Sequence, residues 1–220
     1  MSTIAPATNA TVSNAARLQA LLEAMLPTWL PLDQRVEAEL VLARIVASED
    51  TPELVEVALD LLCLFSHHSG ELGLLAGTLC QSLRVSPGVR GAVLRHALCG
   101  GKMHSPLAMY PRSAVLAWLA VASPLTLMDE AERALLASLP DPIEAWRGGR
   151  GVTPRQAATG LSWTLDPDRA RWFANRWSPA PALIVRASFP KAAVLAYFGD
   201  PEEREVIMNW RRARGLAAIS

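Results

Sequence analysis

Four side chains near the C-terminal end of this 220-residue chain have the types and spacing to do chemistry together: Arg147 in IEAWRGG, Ser162 in GLSWTLD, and Glu203 and Glu205 in EEREVIM. An arginine fork beside Gly148 and Gly149, whose N–H groups no side chain shields, suits a phosphate. Ser162 and Thr164 share one face of a strand, with Trp163 on the other, so two hydroxyls line one surface. Two carboxylates at i, i+2 on a strand repel unless cations or hydroxyls receive them. Each piece alone has a plainer reading: a surface arginine beside a turn, a solvated edge strand.

Short strands must carry these groups. Ile143 to Arg147 reads as a strand ending at the Gly148-Gly149 turn, with Trp146 and Arg147 on opposite faces, so that Arg147 points into a cleft while Trp146 packs beneath. Gly160 to Leu165 is a second strand, Ala182 to Phe189 a third, Ala193 to Phe198 a fourth and Arg204 to Met208 a last one. Period-two geometry sets Glu203 and Glu205 on one face of that last strand. Between them, Asp166-Pro167-Asp168 starts a helix that carries Ala170, Phe173, Ala174 and Trp177 inward and Arg169, Arg171 and Arg176 outward.

Upstream the pattern is helical. Residues 1–12 are Ala, Thr, Ser and Asn with little to bury and are expected to be disordered. Leu18, Leu21, Leu22 and Met25 recur at helical spacing, Asp33 caps a second helix through Val36 and Leu40, and Thr51-Pro52-Glu53 starts a third that buries Leu54 to Phe65. Ser86-Pro87, Ser105-Pro106 and Ser123-Pro124 repeat the cap-plus-proline signal at unequal spacing, which favours an irregular bundle over a solenoid. The expected architecture is α+β: a helical domain over 13–140, then a small, mostly β domain over 141–220, with the boundary near Leu139-Pro140-Asp141-Pro142.

Charge divides the chain at the same place. Residues 1–140 carry nine Arg and Lys against thirteen Asp and Glu, whereas residues 141–220 carry twelve against eight, so a formal net charge of zero hides a polarity between the halves. No apolar run reaches the roughly 18–20 residues that span a bilayer, and MSTIAPATNATVSN lacks the basic start and apolar stretch of a signal peptide. A soluble cytoplasmic protein is expected, with no membrane partner. Cys63, Cys80 and Cys99 are odd in number and lie in apolar helical patterns, so buried free thiols are expected rather than a disulfide framework. Cys63 and His67 stand at i, i+4, but His67 and His68 suit a helix C-terminus, and His96, Cys99 and His104 are loosely spaced. No metal site is expected.

In order and spacing these pieces resemble the ADP-ribosyltransferase superfamily of the arginine–serine–glutamate type, in particular its small bacterial and phage-related members, some of them toxins. The similarity covers about residues 143–208: WRG with Arg147, GLSWT where the family has Ser-Thr-Ser, the DPDRARWFA helix, PKAAVLAYF, and EREVI as the Glu-x-Glu motif. The resemblance implies NAD as substrate, with Arg147 and its neighbour Gly148 on NAD phosphate and ribose. It makes Ser162, with Trp163 and Thr164, the strand that orders the site. Glu205 becomes the catalytic glutamate that holds the nicotinamide ribose and stabilises the oxocarbenium-like transition state. Glu203 resembles the first glutamate of the motif, which engages an acceptor guanidinium in arginine-modifying members. Two departures stand out: Trp163 occupies the middle of the Ser-Thr-Ser position, and only fourteen residues separate Arg147 from Ser162, so the helix expected between them is very short or absent.

The leading reading is therefore a mono-ADP-ribosyltransferase acting on a macromolecule, protein before nucleic acid, whose helical domain selects the target or receives an inhibitory partner. The alternatives are a non-catalytic interaction module with a degenerate transferase-like fold, an NAD glycohydrolase, and a nucleic-acid modifier. The last draws on the six Arg from Arg147 to Arg176, although no aromatic–basic interleave stands out in the sequence.

Overall fold

The computed structural model describes residues 85–99, 106–176, 181–199 and 204–219, together with isolated helical positions between 32 and 81. The helix expected at 18–25, that at 51–65 apart from Glu56, the N-terminal segment 1–12, and Cys63, His67, His68, His104, Trp177 and Glu203 lie outside the described residues, as does most of the helix expected after Asp33. Element labels below begin with the first helix described in full.

The cap-plus-proline signals produce helices of unequal weight. Ser86 Oγ accepts from Val89 N at 3.2 Å and opens α1, Pro87–Cys99, which buries Val89, Val93, Leu94 and Ala97. Pro106–Met109 forms only a 3-10 turn before α2, Arg112–Ala120. Ser123 Oγ accepts from Leu125 N and starts the single turn of α3, Pro124–Leu127. The strongest cap belongs to α4, Glu130–Ser138, where Asp129 and Glu132 each accept the other's backbone N–H at 2.8 Å in a capping box.

The rest of the chain forms one six-stranded antiparallel sheet in the order β4-β5-β2-β1-β3-β6. Its strands are β1 Ile143–Arg150, β2 Ser162–Thr164, β3 Ala182–Phe189, β4 Val194–Phe198, β5 Glu205–Met208 and β6 Arg214–Ile219. Two features depart from the sequence reading, the course of β1 and the added strand β6, while the segment before β2 holds a very short helix, as that reading allows. β1 does not turn at Gly148-Gly149 but runs through them to Arg150, because both glycines stay in register with Ile184 and Leu183 of β3. A short helix, α5 Pro154–Ala158, fills the gap before β2, held by a Thr153–Gln156 capping box. The edge strand β6 adds a further pair to β3. α6, Pro167–Asn175, follows β2 as expected, with Asp166 accepting from Asp168 N and Arg169 N.

Helices and sheet share one apolar core. Val89, Val93, Leu94, Trp118, Leu127 and Met128 pack in the same cluster as Ile143, Ala145, Trp163, Val185, Phe189 and Val206. α6 covers the opposite sheet face, where Ala170 and Ala174 meet Ile184, Trp146 and Ile219. Phe173, expected inward, lies outward with Trp172, because the contact with β1 is so close that only Ala170 and Ala174 fit beneath the helix. Of the two cysteines described, Cys80 is buried, its thiol pushed up to about 12 by desolvation, and Cys99 is exposed, against the expectation of burial; neither forms a disulfide. Among the described residues no helix is long and apolar enough to cross a membrane.

One polar knot ties the helices to the sheet. Glu132 is 6 % exposed, receives Arg95 through both carboxylate oxygens, and accepts from Gly199 N, just past β4, at 3.0 Å. Burial alone would raise its carboxyl, but the bonds from Arg95, Gly199 and Asp129 and the charge of Arg95 outweigh it and hold the pKa below the ordinary value. Glu132→Gln is expected to cost roughly 2–4 kcal/mol of stability at pH 7, since Arg95 is left facing a neutral group. A depressed folded pKa means that this contribution is complete above the unfolded value near 4.5 and is lost as pH falls through the folded pKa. Urea melts of wild type and variant should therefore differ at pH 7 and converge in acid; a gap independent of pH would remove the ionic role.

Candidate functional site

Strand order brings together what the sequence holds apart. β1, β2 and β5 are neighbours, and Trp146 pairs with Thr164, which pairs in turn with Glu205, so one row crosses all three strands. Ser162 lies two residues from Thr164 on the same face, opposite Ile207. Arg147, one residue beyond Trp146, belongs to the other face, in register with the fully buried Val185 of β3.

The arginine nevertheless reaches the serine. The β1–β2 ladder has a single pair, Trp146 with Thr164, and past it Arg147 Nη1 donates to the Ser162 carbonyl oxygen. The guanidinium lies flat against Gly160, where a Cβ would collide with its Cζ and Nε. Desolvation, and secondarily the charge of Arg112, push the Arg147 pKa down to about 10, with Glu205 pulling it back up. Arg147 is therefore still a cation at neutral pH, but one that has lost much of its hydration. A Ser162 carbonyl takes one of the five N–H donors of a guanidinium, and an anion is the natural acceptor for others.

The turn under Arg147 is rigid. Gly160 N donates to Ala157 O at 3.1 Å, and Trp163 Nε1 donates to Gly160 O at 3.0 Å. Trp163 itself is 2 % exposed and meets Phe189 edge to face at 4.9 Å. Thr159 Oγ1 donates to Gln156 O and accepts from Arg112 Nη1 at the start of α2.

These contacts revise several of the assignments made from the resemblance. Trp163 and Thr164 are interior, with Thr164 only 4 % exposed and accepting from Asp166 N, so they build the strand and present nothing to a ligand. Gly148 is not an open N–H cradle: a Cβ there would strike Ala170 O and come within 2.7 Å of Ala174 N, so the glycine exists to let α6 lie on β1. Arg147 lies on the face opposite a packed Trp146, as expected, with its guanidinium against Gly160 and on the Ser162 carbonyl. Glu205 is half-buried at the first position of β5. Arg204 before it has φ 44°, so the extended alternation that would set Glu203 on the same face stops there. Ser162 is half-buried and adjoins both Arg147 and β5.

Two features escaped the sequence reading. Arg112 lies outside the segment of resemblance, and no spacing links it to Arg147. On α6, Arg169 and Arg176 place their guanidinium carbons 4.1 and 4.4 Å over Trp172, which is 43 % exposed beside a 37 % exposed Phe173, so an aromatic–basic interleave is present after all. The i−3 and i+4 positions of the two arginines around Trp172 were the signal for it. Among the described residues no cluster of His, Cys, Asp and Glu could hold a metal ion, and His96 is kept toward its neutral form by burial. Comparison with protein-family models, with curated proteins and with solved structures finds no match to this chain.

The two glycines should respond differently to a methyl group. Gly148→Ala meets the backbone of α6, which cannot yield without shifting the helix, and should cost roughly 2–4 kcal/mol. Gly160→Ala meets only the end of the Arg147 side chain, so a loss of about 1 kcal/mol is expected while the guanidinium leaves the Ser162 carbonyl. Chemical denaturation of both variants checks the order; equal losses would contradict it.

Proposed function

We propose that the chain is an NAD-dependent mono-ADP-ribosyltransferase of the arginine–serine–glutamate type, acting on a macromolecular acceptor, protein arginine first. The observation that carries this reading is the convergence of Arg147, Ser162 and Glu205 on three adjacent strands, with the guanidinium on the Ser162 carbonyl and within the field of Glu205. On this reading residues 141–220 form the transferase-like part, and the helical part before them selects the target.

The chemistry follows from the charges. Arg147, poorly hydrated and cationic, holds the diphosphate of NAD. The C–N bond between ribose and nicotinamide breaks with its electron pair leaving on nicotinamide, which departs neutral. Glu205 opposes the positive charge that develops at the ribose and holds the 2′-hydroxyl. An acceptor nitrogen then bonds to the same carbon and gives its proton to a carboxylate, the role that falls to Glu203 in arginine transfer, since a guanidinium with pKa above about 12 is a poor nucleophile until a base positions it.

A specific observation favours a second acceptor. The exposed Trp172–Phe173 pair between Arg169 and Arg176 combines cations with aromatic surface, the pairing that single-stranded nucleic acid uses. Trp172→Ala should then weaken binding of a labelled single-stranded oligonucleotide and leave nicotinamide release unchanged; unaltered oligonucleotide binding removes the nucleic-acid reading.

Glu205→Gln keeps the shape of the side chain and removes its charge, so the variant should fold as wild type and lose nicotinamide release by about a hundredfold or more. Release from NAD followed by chromatography, with a thermal melt as control, is the test. Turnover unchanged in Glu205→Gln would overturn the assignment.

A further inference from the structure

Two guanidinium groups from separate parts of the chain meet at the Thr159–Gly160 peptide. Arg112, exposed at the first residue of α2, donates to Thr159 Oγ1, whose own proton is spent on Gln156 O at 2.8 Å, so its lone pairs turn toward the arginine. On the next residue, Arg147 lies against Gly160 and donates to Ser162 O. The peptide between is fixed by the bonds of Gly160 N to Ala157 O and of Trp163 Nε1 to Gly160 O. The two cations are near enough that Arg112 helps to lower the pKa of Arg147. The two guanidinium charges repel one another, and a ligand with two negative charges relieves that repulsion.

We propose that Arg112 and Arg147 form a two-pronged clamp for the diphosphate of a dinucleotide, one prong supplied by the helical part and one by the sheet. That the dinucleotide is NAD rests on the function proposed above; the clamp for a diphosphate does not. Arg112 comes to the Thr159–Gly160 step from α2, outside the segment between β1 and β2 that holds the five-residue α5. A diphosphate suits the site better than a single phosphate, because the Thr159–Gly160 step separates the two guanidinium groups and each can take its own phosphate.

Isothermal titration calorimetry of the full chain with ADP-ribose, inorganic pyrophosphate and adenosine tests this, using wild type, R112Q and R112K. Wild type should bind ADP-ribose and pyrophosphate, and R112Q should weaken both by roughly tenfold or more, with adenosine unaffected. R112K keeps the charge and loses the fork, so an intermediate affinity is expected. Arg112 is exposed, and thermal melts should show R112Q folded; if it is not, R112K with its salt dependence carries the test. An ADP-ribose affinity in R112Q within about twofold of wild type, or no binding of pyrophosphate and ADP-ribose to wild type, overturns the clamp. Nicotinamide release by wild type with an unchanged KM in R112Q sinks the clamp and leaves the NAD reading standing. Pyrophosphate binding lost in R112Q, in a protein that never releases nicotinamide, does the reverse.

Discussion

The site depends on a cation held where water is scarce. Arg147 enters the gap that opens where β1 and β2 cease to pair, and finds one neutral acceptor, the Ser162 carbonyl. Moving a guanidinium out of water costs several kcal/mol unless charges and hydrogen bonds compensate, and desolvation is the main cause that lowers the Arg147 pKa to about 10. Much of the local sequence serves that placement. Gly160 leaves room for the guanidinium, Trp163 anchors the Gly160 carbonyl, and the short β2 lets the ladder stop in time.

The helical part positions the sheet as much as it covers it. Glu132 joins α1 through Arg95 and the end of β4 through Gly199 N, while Lys191 Nζ donates to Ala137 O and Leu139 O at the end of α4. Tyr197 N meets Met128 Sδ at 3.2 Å inside the shared core. These ties bring the start of α2 beside Thr159, so Arg112 and Arg147 act on one another although 34 residues lie between them in sequence. The charge polarity between the halves, acidic before residue 140 and basic after it, is consistent with such a seam: acidic Glu132 reaches the sheet at Gly199 N, and basic Lys191 reaches the end of α4.

How far the sequence was readable depended on the range of the forces involved. Local signals carried: Asp166-Pro167 opened α6, Ala182–Phe189 matched β3, and the fourteen residues between Arg147 and Ser162 hold no more than the five-residue α5, within the expectation of a helix very short or absent. Signals that needed a third body did not. Gly148 looked like a turn until α6 was laid on it, and Trp163 and Thr164 looked like ligand contacts until β1 and β5 closed on either side. The alternation argument for Glu203 assumed an extended Arg204, which a left-handed φ denies. Thr153-Pro154-Arg155-Gln156 carried a full capping-box signature and could have placed α5 at the outset. Arg112 had no sequence signal at all, because its relation to Arg147 exists only through the packing of α2.

The proposed transfer rests on a desolvated arginine at the diphosphate of NAD and a strand-borne glutamate at the neighbouring nicotinamide ribose. The most direct measurement uses NAD carrying one label in nicotinamide and another in the adenylate phosphate, incubated with the purified chain and a cell lysate, then digested with protease or nuclease. The account predicts that the nicotinamide label appears free in solution while the adenylate label becomes attached to macromolecules and is released by protease. Both labels remaining together in intact NAD would contradict it.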